Sequence, residues 1–381
     1  MLVTRIFRGI VVSAAVVAAA HALAGCGSCG EPEARTRDPL SLIPADSIVV
    51  ASVEVRPVLA SPAYERIRRS VNPVSAYLGD CEYDPLPHID RLWLGGGADV
   101  LEGKGVMVVM GPVVRDKVLE CYRADARRDG LTVEEEQVKG VTVYSAGPGR
   151  LHLAWLDAKT AVVGDRDSTL AVLALDRGEG SSVRSNQTLF KLWERMAKGQ
   201  HVAVAMLPQK SQLDRLGKVL PDTHQGLMRA EQLGLSLFVS KGLDIRAMLR
   251  LESGDSATKM AKQLGRDIEY WSGHEYAEIA GVDGHLKAMR VENAGPEITV
   301  TAHWTEAQVR SLAGLAVDSI DEIMRSGDPE KALRERFQKD GGAVPAQPAD
   351  RPDGGPAPTG GDAAPASGDA APAKAASDAS R

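Results

Sequence analysis

Aromatic residues are scarce in this chain of 381 residues, where phenylalanine, tyrosine and tryptophan together make up 4%. A hydrophobic core must therefore be built mainly from Val, Leu, Ala, Ile and Met, which the apolar content of 44% allows. Basic residues are not in excess either, since the formal net charge is −6. Nucleic-acid phosphates require a basic protein face, so we expect no nucleic-acid partner.

The common catalytic and cofactor motifs are also missing. No Gly-x-Ser-x-Gly nucleophile elbow occurs, and Gly95–Gly97 is not followed by the Gly-Lys-Ser/Thr of a phosphate-binding loop. Asp80, Asp84 and Asp90 lack the spacing of a calcium-binding loop. We therefore expect no catalytic residue set, no cofactor and no metal ion, and we interpret the glycines as a turn or a bulged strand end.

Residues 1–25 have the pattern of a secretory signal, in which Arg5 and Arg8 precede a short apolar run over residues 10–20. The run is shorter than the ~20 apolar residues that a transmembrane helix needs. The phrase that follows, Leu23-Ala24-Gly25-Cys26, resembles the lipobox of bacterial lipoproteins. The resemblance implies cleavage before Cys26, attachment of a diacylglyceryl group to its thiol, and acylation of its new amine with a chain such as palmitate.

A lipid on Cys26 would anchor the chain in the cell envelope, on a membrane that faces the periplasm. Two or three acyl chains anchor durably because each buried methylene contributes ~0.8 kcal/mol. Position 27 is Gly rather than the Asp of inner-membrane lipoproteins, which favours the outer membrane. The alternatives are an ordinary cleaved signal with an incidental cysteine, or an uncleaved anchor. Without residues 1–25 the net charge is −8, so the lipid and not the protein surface would attract the chain to a membrane.

Export places the other cysteines in an oxidising compartment. We predict a disulfide between Cys81 and Cys121 in the folded body, with two separately buried thiols as the alternative. Closing a loop of this length contributes roughly 4 kcal/mol in the chain-entropy model. Cys29 is left over and is either free or paired between molecules. The body has no Cys-x-x-Cys pair, so neither a zinc ribbon nor a thioredoxin-type site is indicated.

Composition divides the mature chain into a tether, a body and a tail. Residues 26–39 are a short polar tether, and residues 339–381 are a tail rich in Ala, Pro and Gly with a repeated Gly-Asp-Ala-Ala-Pro-Ala. The tail lacks the large apolar residues that would offset the entropy of ordering, so we expect it to be disordered. The body between them is long enough for one large domain or two medium ones.

The body predicts an α+β fold with two similar halves, residues 40–198 and 199–338. Each half has the pattern βα-ββα-ββα, with one extra strand in the first half, and equivalent helices start about 140 residues apart, which indicates a duplication. We expect antiparallel sheets with helices packed on one face, and an N-cap at Asp165 or Asp167. The predicted strands are 47–55, 91–98, 105–111, 141–145, 150–156, 160–164, 200–207, 235–240, 243–252, 286–292 and 297–304. The predicted helices are 61–70, 112–128, 167–176, 186–198, 210–220, 256–271 and 305–325.

Two short phrases of the body resemble a loose group of uncharacterised extracytoplasmic bacterial proteins. One is the opening Leu42-Ile43-Pro44-Ala45-Asp46, and the other is residues 156–164, which precede a helix. Proteins of this group open with a Leu-Pro-Ala-Asp-type phrase and repeat α+β units. The resemblance covers residues 40–325 and implies a style of fold without an activity.

Three histidines and one acidic run are the candidates for chemistry. His274 begins a sequence like the zinc motif His-Glu-x-x-His, but Glu278 replaces the second histidine, which favours a helix end or loop. His285 and His303 fall at the same end of a predicted hairpin and could share a metal ion, although two ligands are too few. Polar residues at strand ends are the ordinary interpretation. We interpret Glu134–Glu136 as solvated charges on a loop or strand edge that discourage edge pairing.

Two function hypotheses follow. The favoured one is a non-catalytic envelope lipoprotein that binds a protein, a peptide or an envelope polymer through a sheet face or through the groove between the halves. The alternative is an envelope hydrolase whose site is assembled from scattered residues, such as His274, His285 and His303, because catalytic groups meet in space rather than in sequence.

Overall fold

The computed structural model describes residues 37–62, 64, 83–102, 104–147, 149–217, 222–279 and 281–313. These residues form an α+β fold with a large antiparallel sheet, as the sequence predicts. The predicted signal, nearly all of the tether, the tail, most of the helix over 61–70 and the helix beyond residue 313 lie outside the described residues.

The boundaries of the elements agree with the sequence pattern to within a few residues in most cases. The described strands are β1 (Val49–Glu54), β2 (Arg91–Gly96), β3 (Val106–Met110), β4 (Glu134–Val138), β5 (Val141–Ser145), β6 (His152–Asp157), β7 (Thr160–Gly164), β8 (Val202–Met206), β9 (Ala230–Val239), β10 (Leu243–Leu251), β11 (Met289–Ala294) and β12 (Glu297–Trp304). The described helices are α1 (Val55–Leu59), α2 (Arg115–Arg128), α3 (Arg166–Asp176), α4 (Gln187–Ala197), α5 (Lys210–Gly217), α6 (Gly254–Ser272), α7 (Glu275–Ile279) and α8 (Asp283–Lys287), and residues 306–313 are also helical.

All twelve described strands form one antiparallel sheet in the order β11-β12-β10-β9-β8-β1-β2-β3-β7-β6-β5-β4. Strand β1 lies inside the sheet, where Val50 is opposite Gly95 of β2 on one side and Ala205 of β8 on the other. The two predicted halves therefore contribute to a single sheet, which they share through the pairing of β1 with β8.

Helices cover both faces of this sheet, so the prediction of helices on one face is wrong. Leu92 and Trp93 are neighbours on β2 and therefore point to opposite faces. Leu92 packs in a cluster with Val118 of α2, which defines the first face, whereas Trp93 packs with Leu192 of α4 on the second face. The reason lies in β3 and β7, which have consecutive rather than alternating apolar residues and are buried on both sides.

The sheet changes character beyond β9, because β10 and β12 alternate between apolar and polar residues. Leu249 and Ile298 point to the first face and pack with Met260 of α6. Apart from Met248, which packs in the cluster that contains α4, the side chains of β10 and β12 that point to the second face are polar and half-buried or exposed. We call this surface the open face: Asp244, Arg246, Arg290, Thr299, Thr301 and His303.

The first described residues are built into the second face of the sheet. Leu42 and Ile43 are at most 2% exposed and pack in the cluster that contains α4. Arg37 forms ion pairs with Asp157 and Asp176 and donates a hydrogen bond to the carbonyl of residue 156 at 3.3 Å. Residues 37–39, which composition assigns to the tether, are thus fixed to the body.

Strand β4 was not predicted as a strand, and it forms one edge of the sheet. Its acidic residues Glu134–Glu136 are exposed, and Glu136 pairs with Arg166 at 2.8 Å. The interpretation of this run as charges at a strand edge is confirmed. The run escaped the strand prediction because four consecutive polar residues give no apolar alternation.

Candidate functional site

The candidate site begins with α6, the longest of the described helices, at 19 residues. Ser253 caps its first turn, because its hydroxyl accepts a hydrogen bond from the backbone N–H three residues further on at 3.2 Å. Met260 and Leu264 follow at helical spacing and pack against the first face of the sheet. The same apolar stripe continues through Ile268 and Trp271 at the end of the helix.

The chain after α6 folds back against it. The N–H of Ala277 donates to the carbonyl of His274 at 2.9 Å, and the N–H of Val282 donates to the carbonyl of Ala277 at 2.8 Å, so α7 is a single short turn of helix. Gly281 allows the reversal, because its φ of +66° lies in the left-handed region that favours glycine. Helix α8 then packs beside α6.

This reversal forms a pocket of about 360 Å³ between α6, α7 and α8. The side chains that line it are apolar with one exception: Leu264, Asp267, Ile268, Trp271, Ala277, Val282 and Leu286. The exception, Asp267, already accepts a hydrogen bond at its Oδ1 from the side-chain amide of Gln263 at 2.7 Å. The pocket therefore favours an apolar ligand, because it offers little that would fix a polar one.

Two exposed aromatic side chains stand beside the pocket. Trp271, which lines it, is 50% exposed, and its neighbour Tyr270 is 61% exposed, and these are the exposed large hydrophobic residues of the described chain. Their ring centroids are 5.3 Å apart, and both rings lie within 5.4 Å of the imidazole of His274. Exposed aromatic groups that adjoin a concave apolar surface are typical of an interaction site.

The structure does not bring His285 and His303 together, so the hypothesis of a shared metal ion is wrong for this pair. His285 belongs to helix α8 rather than to a strand, because β11 begins later than predicted. Its Nε2 lies 2.8 Å from the carbonyl oxygen of Gln308, and its ring packs edge-on against Trp304. His303 is next to Trp304 in β12 and points to the opposite face, where its Nδ1 lies 2.6 Å from a carboxylate oxygen of Asp244.

The remaining candidates from the sequence take structural roles. His274 lies in the turn between α6 and α7, which agrees with the loop interpretation. Gly95 belongs to strand β2 rather than to a phosphate-binding loop, and its lack of a side chain leaves room for Ile43. Asp84 accepts a hydrogen bond from a backbone N–H in the next turn, and Asp90 pairs with an arginine of α1. Within the described ranges, no three His, Cys, Asp or Glu residues are grouped as metal ligands.

The predicted cysteine chemistry lies largely outside the described residues. Cys121 of α2 is 7% exposed and packs in the core of the first face. Cys26, Cys29 and Cys81 are outside the described ranges. Lipid attachment at Cys26 and the disulfide between Cys81 and Cys121 stay predictions.

Two titratable groups with shifted pKa values lie where β7 leads into α3. Asp165, one of the two N-cap candidates from the sequence, is the N-cap of α3 and accepts hydrogen bonds from the N–H and hydroxyl of Ser168 and from the N–H of Gly105 at 2.7–3.0 Å. Burial alone would raise the pKa of Asp165, but these hydrogen bonds outweigh it and hold the pKa below its usual value. Burial lowers the pKa of His152, which is 8% exposed. Asp165 thus joins the chain before β3 to the start of α3, and neither group lines the pocket between α6, α7 and α8.

Sequence reasoning missed the pocket because it placed a strand over 286–292, where α8 ends and β11 begins. One signal was available in the sequence. The apolar stripe of α6 ends in Tyr270 and Trp271, which Gly273 and Gly281 follow within ten residues. Large aromatic residues at the end of an amphipathic helix, followed by two glycines that permit a reversal, indicate a helical hairpin with an apolar interior.

Comparison with known proteins adds little. No protein family and no curated protein matches this chain. One solved structure, described as "Structure of crystal form I of TP0453", is 12% identical, covers 74% of this chain and 97% of its own, and superposes with a TM-score of 0.41. In the part of the chain that the structure describes, no helix is both long enough and apolar enough to cross a bilayer.

Proposed function

We propose that this chain is a lipid-anchored protein of the bacterial envelope that acts by binding rather than by catalysis, and that its binding site is the pocket between α6, α7 and α8. The observation that carries the proposal is the lining of this pocket, which is apolar apart from Asp267. Such a lining can hold a ligand by burial of apolar surface, but it offers no nucleophile, base and oxyanion donor in one place.

The lipobox phrase at residues 23–26 supports the anchor, and the packing of the first described residues limits how far the body could lie from it. Arg37 and the segment after it are fixed to the second face of the sheet. The tether between the proposed lipid on Cys26 and this fixed point has about eleven residues, which extend to at most ~40 Å. The body would therefore stay within reach of the membrane surface.

Metabolic labelling in a bacterial host tests the anchor. The wild-type chain should incorporate a labelled fatty acid and sediment with the membrane fraction. Cys26→Ser should abolish both properties, whereas Cys29→Ser, three residues away, is the matched control and should retain both. Labelling that survives Cys26→Ser, or a mature chain that still begins with residue 1, would overturn this part of the proposal.

Purification tests the binding site. Protein extracted from host membranes in mild detergent should carry a bound small molecule, which mass spectrometry of a denatured sample would detect. Filling the pocket with Val282→Phe should remove that molecule, and Lys262→Phe, which places the same side chain on the exposed side of α6, should not. An empty wild-type protein, or equal occupancy in both variants, would count against the pocket as the site.

The two-halves architecture also belongs to the proposal. Its support is the strand order, since β1-β2-β3-β7-β6 in the first half corresponds to β8-β9-β10-β12-β11 in the second, with β5 and β4 as an addition to the first. The helices that follow β3 and β10 correspond as well, because α2 and α6 both pack on the first face. If the halves are duplicated folding units, residues 37–198 and 199–338 produced as separate chains should associate through β1 and β8. Separate chains that stay unfolded after mixing would contradict this.

A further inference from the structure

The lining of the pocket restricts the chemical class of ligand that the pocket can hold. A peptide backbone brings N–H and C=O groups that must be satisfied when buried, at a cost of several kcal/mol each if they are not. Asp267 is the one carboxylate in the lining, and its Oδ1 is already engaged by Gln263. The buried part of an occupant should therefore be mainly apolar, because the lining offers little that would satisfy polar groups.

The size of the pocket agrees with one flexible chain. An apolar cavity of roughly 150 Å³ is known to accept benzene in another protein. The pocket here, at about 360 Å³, is more than twice as large, and it is too small for a second folded element. Apart from Asp267 and Ala277, its lining consists of branched aliphatic side chains and one indole, which provide contacts without direction.

The aromatic residues beside the pocket indicate where the rest of the occupant lies. Trp271 both lines the pocket and is 50% exposed, and Tyr270 next to it is 61% exposed. Tryptophan and tyrosine combine an apolar body with a polar end, so they are favoured at the level where a bilayer meets water. A ligand with an apolar chain inside and a polar group at the mouth matches this arrangement.

We propose that the pocket holds one acyl chain of a membrane phospholipid. This inference rests on the proposed function, because the lipid anchor is what keeps the body within reach of a bilayer. The headgroup would stay in water beside Tyr270 and Trp271, and the chain would lie against Leu264, Ile268 and Leu286. The anchor's own acyl chain on Cys26 is the competing source of the same chemistry.

Titration with single-chain phosphocholines of increasing chain length, each below its micelle-forming concentration, tests the proposal. The protein used is the mature chain with Cys26→Ser. Binding is measured by calorimetry and by tryptophan fluorescence. Affinity should rise about fourfold per added methylene and then level off when the pocket is full. Val282→Phe should shorten the chain length at which affinity levels off, Ile268→Asp should weaken binding at least tenfold, and Lys262→Phe should leave binding unchanged. Thermal melting of each variant verifies folding.

Each of four results would overturn the inference. One is an affinity that does not depend on chain length, and another is equal binding by Ile268→Asp and the Lys262→Phe control. The third is binding to Cys26→Ser that is absent in the lipidated wild type, which would assign the pocket to the protein's own anchor. If no phosphocholine binds but the host-purified protein carries another molecule that Val282→Phe removes, the proposed function stands and the acyl-chain assignment falls.

Discussion

Replacing Gly95 by alanine would test how firmly the segment that contains Ile43 is packed against the sheet. Gly95 lies on β2 against Ile43, which is fully buried. A Cβ at position 95 would overlap the Cγ2 methyl of Ile43 and would also lie 3.3 Å from its Cβ and Cγ1. Ile43 cannot move away easily, because the segment before it is packed in the same cluster.

The magnitude follows from the packing on both sides of this contact. Gly95→Ala adds one methyl group to a filled site, which costs about 1–3 kcal/mol of unfolding free energy. Ile43→Ala alone costs about 2–5 kcal/mol, because it leaves a cavity. The double variant should be about as stable as Ile43→Ala alone, since the added methyl then occupies part of that cavity. The coupling energy between the two positions is therefore about 1–3 kcal/mol in favour of the double variant.

Urea unfolding, monitored by circular dichroism, measures the stability of the two single variants and of the double variant. All are made in the mature chain with Cys26→Ser. Gly97→Ala is the matched control, because a Cβ there meets no atom within 4 Å, and it should change stability by less than about 0.5 kcal/mol. Equal effects at positions 95 and 97, or strictly additive effects of Gly95→Ala and Ile43→Ala, would refute the close packing of residue 43 on β2.

Three further predictions concern the scaffold. Because burial lowers the pKa of His152, its contribution to stability should be complete above pH ~6.5 and lost as the pH falls through the lowered pKa. His152→Gln should therefore reduce the fall of the urea midpoint on acidification, and an unchanged fall would contradict this. Asp165→Ala should lower unfolding free energy by about 1–3 kcal/mol, because it removes the cap of α3 and leaves the Gly105 N–H without its acceptor, whereas the neighbouring Asp167→Ala should have less effect. Reduction should lower stability by roughly 4 kcal/mol if Cys81 and Cys121 are bridged, and peptide mapping that finds both thiols free would exclude the bridge.

Alternating and uninterrupted apolar patterns explain which parts of the fold could be predicted. Apart from β4, the strands of the sheet are visible in the sequence because Val, Ile, Leu and Ala recur in short runs between turn residues. The two-sided cover was also encoded, since β3 (VMVVM) and β7 (TAVVG) do not alternate, and strands without alternation are buried on both faces. Our prediction of helices on one face ignored that distinction.

The site was harder to predict than the fold, because a reversal of the chain after α6, and not a sequence motif, brings its residues together. The segment after α6 contains two short helices of five residues each, and helices of this length have too few turns to show a period. His285 illustrates the consequence, since one misplaced strand boundary moved it from a helix on the first face to the end of a hairpin. The pairing of His285 with His303 in the sequence analysis came from that single error.

The two ends of the sheet differ in a way that bears on where binding is located. At the end formed by β3, β7 and β6, helices α2 and α3 and residues 40–43 cover both faces, so the side chains there are buried in the core. At the end formed by β10, β12 and β11, the second face is the open face and the first face carries the pocket. Mutations at the first end should therefore change stability and leave binding intact, whereas those at Ile268 or Trp271 should change binding with little loss of stability. Because the two ends belong to one continuous sheet, the buried end supplies the rigidity that a preformed pocket at the other end requires.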